Sequence, residues 1–271
     1  MLGKLMKFDL KSSYRAFVGI YAAIFLMAVL LGTTIRLQNK WLFVFVPLAL
    51  MAVVIASAVI AFLGILKLFN DSVYTAQGYL TLSLPVRAEA VVASKCLVAL
   101  IWLLLLLLVG AASVAVCLLI GVPQDFWREF SQEAVYAMRY LRANIWQFGS
   151  FPWALGALML VSAVESVLML YLAVAVANLR QLRRHKIIVG VAAYFVIGQA
   201  QSIAMGLIGA AIYGVPMLRG SIVPTAQMET FALIRGPFSA YLWIALAFSL
   251  ALGTGAFFLI SWLMRRHLEL E

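Results

Sequence analysis

Six long apolar runs limit what this chain can become: Ala16 to Leu37, Trp41 to Leu66, Val91 to Ile120, Phe151 to Ala177, Ile187 to Tyr213 and Phe238 to Met264. Each reaches or exceeds the ~20 residues that a helix needs to cross a bilayer core. The runs are continuously apolar and rich in Leu and Ala. A transmembrane barrel would instead show segments of ~10 residues alternating in hydrophobicity. Apolar residues make up 66% of the 271 positions and charged residues 11%, against an apolar share of roughly half in soluble domains. The fold class expected is all-α, a polytopic membrane protein with six spans in a single transmembrane domain over 1–271.

The placement of basic residues sets the expected orientation. Lys4, Lys7, Lys11 and Arg15 precede the first run, Lys67, Arg87 and Lys95 flank the connection between the second and third, Arg180, Arg183, Arg184 and Lys186 lie between the fourth and fifth, and Arg265 and Arg266 follow the sixth. With six spans these fall on one side, and the other side holds fewer, several beside acids. The positive-inside rule then puts both termini in the cytoplasm of a multi-pass cell-membrane protein. The net charge of +10 is thus a topology signal. No basic segment is long enough, or interleaved with enough aromatics, to form a nucleic-acid groove.

Three further segments have a pattern of their own. Over residues 1–15, Leu2, Leu5, Met6 and Leu10 oppose Lys4, Lys7 and Lys11, which predicts an amphipathic entry helix in the headgroup layer; a plain charged start to span one is the competing reading. This segment lacks the features of a cleaved signal, so span one is expected to be retained. Over residues 123–148, Phe126, Phe130, Ala134, Ala137, Leu141, Ile145 and Phe148 recur at helical spacing, with Asp125, Glu129 and Glu133 early and Arg139 and Arg142 late. That order suits the helix dipole and predicts an outer amphipathic helix. Residues 214–237 carry Gly214, Pro216, Gly220, Pro224, Gly236 and Pro237, which suits short re-entrant or interfacial pieces.

Catalytic chemistry is largely missing. No Gly-rich phosphate loop ending in Gly-Lys-Ser or Gly-Lys-Thr occurs, so this chain is not expected to hydrolyse nucleotide itself or to carry a cofactor of its own, and its energy has to come from elsewhere. His185 and His267 sit in basic segments, and no span interior pairs His or Asp ligands for a metal or offers a base for a serine nucleophile. Cys96 and Cys117 share the third run, ~30 Å apart along a helix, beyond disulfide reach. No catalytic or metal residue is assigned.

Glu165 resists that plain picture. It lies midway between Pro152 and Asn178 in span four, where a charge costs ~2.5 to 3.5 kcal/mol. Ser162 and Ser166 share its helical face, and with no Lys, Arg or His in another span's interior its partner has to be a hydroxyl, an amide, a cationic substrate group or a retained proton. Span five offers Gly190, Gly198, Gln201, Ser202, Met205 and Gly209 on a broad face with Gln199 beside it, suited to close helix packing or to dimerisation. Glu165, Ser162, Ser166, Gln199, Gln201 and Ser202 are the substrate-path candidates, with structural burial and ordinary packing as the competing account.

Between spans two and three lies a polar island, 70–87, from Asn70 to Arg87. Gly78 breaks the preceding helical segment, Leu80, Leu82 and Leu84 alternate with Tyr79, Thr81 and Ser83, and Pro85 suits the first position of the next helix. Such a loop has the make-up of a docking peg. Gly78, Tyr79, Leu80, Thr81, Leu82, Leu84, Pro85 and Val86, then Arg87, with Ser94, Lys95 and Leu97 downstream, resemble the permease subunits of type-2 ATP-binding-cassette exporters, in particular small six-span Gram-positive permeases. The family often carries an acid where this chain has Gln77, a departure that bears on an ion pair from that position and not on docking itself.

The resemblance implies that 70–87 is a cytoplasmic coupling segment seated in a groove of an ABC ATPase subunit. Tyr79, Leu80, Leu82 and Leu84 would then make the apolar contact and Arg87 a rim charge, within a site of Gln77, Gly78, Tyr79, Leu80, Leu82, Leu84, Pro85 and Arg87. It also implies a second permease, identical or related, facing this one partly through spans one and five. The expected function is export of an amphipathic peptide, lipid or drug. A membrane binding or immunity protein that sequesters a peptide or lipid is the alternative, followed by a secondary carrier, which would be expected to show a wider intramembrane ionisable network than Glu165 alone.

Overall fold

The computed structural model describes residues 2–37, 40–74, 88–144, 150–179, 185–214 and 229–266. They form seven α-helices, α1 (Leu2–Leu37), α2 (Lys40–Tyr74), α3 (Ala88–Gly121), α4 (Gln124–Asn144), α5 (Phe151–Ala177), α6 (Lys186–Gly209) and α7 (Glu229–Arg266), with a π-helical turn, Ala210–Gly214, closing α6. Six stretches within them are long and apolar enough to cross a membrane: Phe17–Leu37, Val44–Asn70, Ala88–Gly121, Phe151–Ala177, Ile188–Ile212 and Phe238–Arg265. The protein is an all-α polytopic membrane protein, and the span limits read from hydropathy hold to within a few residues.

Two expected segments are continuous with their neighbours. The amphipathic entry segment and span one form a single 36-residue helix, ~54 Å long against a hydrocarbon core of ~30 Å. Span six is likewise extended: of 214–237, residues 229–237 belong to α7, which runs through Gly236 and Pro237 into the span, while 215–228 lie outside the described residues. A helical start costs less than separate interfacial pieces because each added turn satisfies its own backbone groups.

The chain divides into two compact units, Met1–Asn144 and Ile145–Glu271. In the first, α1 packs along α3 and against α2. These helices are apolar nearly all round, so hydrophobicity alone cannot select which face turns inward in lipid; small and polar residues do. At one end of the α1–α3 contact, Gly32 and Gly121 meet. A Cβ on Gly32 would lie 2.9 Å from the Cys117 carbonyl oxygen, and one on Gly121 would lie 3.2 Å from the Gly32 carbonyl oxygen. Only glycine allows backbones so close.

At the other end a stripe of α1 residues spaced four apart, Asp9, Ser13, Phe17 and Tyr21, meets Lys95 and Trp102 of α3. Lys95 is ion-paired with Asp9. The Trp102 indole donates to Ser13 Oγ at 3.0 Å, its ring stacks on Phe17 at 4.6 Å, and the Tyr21 hydroxyl donates to the Trp102 carbonyl at 2.7 Å. Spacing of four keeps all four α1 residues on one face. The N-terminal segment of α1, read from the sequence as an entry helix in the headgroup layer or as the charged start of span one, is therefore packed onto α3 and continuous with the span.

In the second unit α5 is the central helix, packed on α7 and on α6. Its second half, from Val167 to Ala177, supplies most of that core, with Tyr171 fully buried. The membrane window of α6 has no residue buried within the protein.

Candidate functional site

Three helices of the second unit converge on Glu165. The side chain, on α5, is 3% exposed. From α6, Gln201 Nε2 donates to Glu165 Oε1 at 2.9 Å, and from α7 Ser249 hydrogen-bonds the same carboxyl. Gly253, one turn beyond Ser249, keeps α7 close: a Cβ there would sit 3.8 Å from Glu165 Cβ, in ordinary contact. The carboxyl thus finds an amide and a hydroxyl, two of the partners the sequence left open. Each such bond to a buried polar group contributes about 1 kcal/mol and avoids a larger penalty for an unsatisfied one.

Beside the carboxyl runs a groove of about 440 Å³ between α5 and α7. Leu160, Val161, Val164 and Leu168 line one wall, and Leu250, Thr254, Phe257 and Phe258 the other, with Glu165 and Ser249 at its base. Its surface is almost wholly hydrocarbon, and the Glu165 carboxyl is turned to Gln201. Phe258 is 67% exposed, so the groove opens outward. An arrangement of this kind suits an apolar chain or ring, with a polar group reaching the carboxyl only if Gln201 or Ser249 lets go.

The other sequence candidates separate from this centre. Ser166 donates to the Ser162 carbonyl at 2.7 Å and Ser162 to the Met159 carbonyl at 3.1 Å, so both hydroxyls bond their own helix. Gln199 and Ser202 are exposed on α6. Of the span-five glycines, Gly190 approaches Ala177 and Gly209 approaches Tyr241, whereas a Cβ on Gly198 or Gly206 would meet no described atom within 4 Å. Gly198, Ser202 and Gly206 therefore form an open stripe of small residues at spacings of four.

The coupling candidates Gln77, Gly78, Tyr79, Leu80, Leu82, Leu84, Pro85 and Arg87 lie outside the described residues. What borders them is described. α2 carries the start of the island, Asn70 to Tyr74, as its last turn, and Tyr74 packs edge-on against Phe69 at 6.1 Å. Burial pushes the Tyr74 phenol well above its ordinary range, so it stays neutral. On the far side Lys95 is locked to Asp9.

Sequence reasoning missed Ser249, Gly253 and Asp9. Ser249 and Gly253 stand one turn apart on one face of α7. Asp9 is the only acid among the first 70 residues, and a lone carboxylate beside a membrane invites a search for its cation. No family model, no curated protein and no solved structure matches this chain.

Proposed function

We propose that this chain is the membrane subunit of an ATP-driven exporter of the cell membrane, with both termini and the 70–87 island in the cytoplasm and a separate ABC ATPase, which binds ATP and Mg, docked on that island. The observation that carries the reading is the run from Gly78 to Lys95, set between two helices longer than a bilayer is thick. α2 and α3 have 35 and 34 residues, ~50 Å each against a ~30 Å core. Helices of that length support an island held clear of the lipid, and the Lys95–Asp9 pair braces its outgoing side.

The groove beside Glu165 supports an amphipathic substrate, whose apolar part would lie against Phe257 and Phe258. A second permease would pack on the open stripe Gly198, Ser202 and Gly206, where backbones can approach closely. The test is co-expression with candidate ABC ATPases, purification in mild detergent, and measurement of bound ATPase and its hydrolysis. The expected result is stoichiometric co-purification that is lost in the double variant Tyr79→Ala, Leu82→Asp while membrane insertion is kept. Retained ATPase binding and transport in that variant would sink the docking assignment. Isolation of the folded chain without any ATPase would favour the sequestering or carrier reading.

A further inference from the structure

Helix α4 packs substantially on no other described helix, and its apolar side chains are open: Phe126 is 48% exposed, Phe130 51% and Met138 74%. The helix is nonetheless strongly two-sided. Phe126, Phe130, Ala134 and Ala137 fall on one face and Arg128, Gln132 and Arg139 on the opposite one.

Chain connectivity limits where the open face can go. α3 leaves the membrane at Gly121 and α4 begins at Gln124, and from Asn144 only seven steps remain before the next apolar run starts at Phe151. Fully extended, seven residues reach ~25 Å. A 21-residue helix is ~32 Å long, so α4 standing upright on the bilayer would carry Asn144 too far for the chain to re-enter at Phe151. The length of the connection therefore excludes an upright α4.

We propose that α4 lies in the headgroup layer of the bilayer, on the face where α3 ends, with Phe126 and Phe130 turned toward the acyl chains. Trp127 stands edge-on to both of those stacked rings, 6.0 and 5.9 Å from them, and Tyr136 and Tyr140 follow further along the helix. Amphipathic rings of this kind concentrate at membrane interfaces. Asp125, Glu129 and Glu133 balance Arg128, Arg139 and Arg142, so attachment comes from apolar burial and needs no anionic lipid.

The test places single cysteines at 126, 128, 130, 132, 134, 137 and 139 of the full chain, labels them with a nitroxide in phosphatidylcholine nanodiscs, and compares collisions with oxygen, which prefers lipid, and with a water-soluble nickel chelate. The unsubstituted chain, with its buried Cys96 and Cys117, serves as the labelling blank. The expected pattern is oxygen-dominated at 126, 130, 134 and 137 and nickel-dominated at 128, 132 and 139, a contrast of severalfold that repeats with the helix turn. Nickel access at every position would overturn the proposal by placing α4 in water. Low access of both reagents at 126, 130, 134 and 137 would overturn it in favour of a protein cover, from the bundle or a second copy.

Discussion

Lys95 of α3 and Asp9 of α1 form an ion pair whose side chains are only 3% and 6% exposed. Removing one partner strands the other charge, which typically costs 3–5 kcal/mol where the pair is buried. Asp9→Asn is therefore expected to destabilise the first unit by about 3 kcal/mol, read as a lower melting temperature in detergent. The exchange Asp9→Lys with Lys95→Asp should recover most of the loss. An exchange variant as unstable as Asp9→Asn alone would show that the two residues act separately.

Glu165 separates two contributions. Glu165→Gln keeps an acceptor for Gln201 and is expected to fold with little change, while Glu165→Leu leaves Gln201 and Ser249 without their shared partner, at about 1–3 kcal/mol. If the carboxyl also serves the substrate path, Glu165→Gln should alter the stimulation of ATP hydrolysis by substrate. An unchanged dose response with a stable protein would make the residue structural.

Gly32 sets two effects against each other. Alanine is favoured over glycine in a helix by ~1 kcal/mol, yet a Cβ at Gly32 meets a backbone oxygen at 2.9 Å, and overpacking of this sort costs about 1–3 kcal/mol. Because the obstacle is backbone, sterics should win. Gly32→Ala is expected to lower stability, whereas Gly19→Ala, where nothing lies within 4 Å, should hold or raise it. Equal melting temperatures for the two variants would contradict the close crossing.

The small-residue stripe on α6 makes an opposite kind of prediction. Gly198→Leu with Gly206→Leu adds side chains into open space, so the stability of the folded chain should change by no more than about 1 kcal/mol. If a second permease packs there, cross-linking between copies in the membrane should fall severalfold. Undiminished cross-linking would move the contact elsewhere.

The six spans could be read from the sequence because lipid demands length and apolarity, both of which are local properties. Glu165 stood out for the same reason, as a charge where none is cheap. Ser249 did not, and neither did the pairing of Glu165 with Gln201, since Gln201 and Ser249 come from helices whose facing depends on packing that no periodicity records. Ser162 and Ser166 misled because a hydroxyl in a helix can bond its own carbonyl three or four residues back, as both do. The joining of the entry segment to span one was only the competing reading, because Lys4, Lys7, Lys11 and Arg15 end an apolar run without ending a helix.

The stripe Asp9, Ser13, Phe17 and Tyr21 also has a consequence for how the protein is made. Asp9 emerges from the ribosome 86 residues before Lys95, an interval of ~4 to 17 s at ~5–20 residues per second. During that interval span one enters the membrane while Asp9 lacks its Lys95 partner, so the first turns of α1 stay hydrated at the surface. They settle onto α3 only when Lys95 and Trp102 arrive, so residues made before span one take their final place after span three has begun to form.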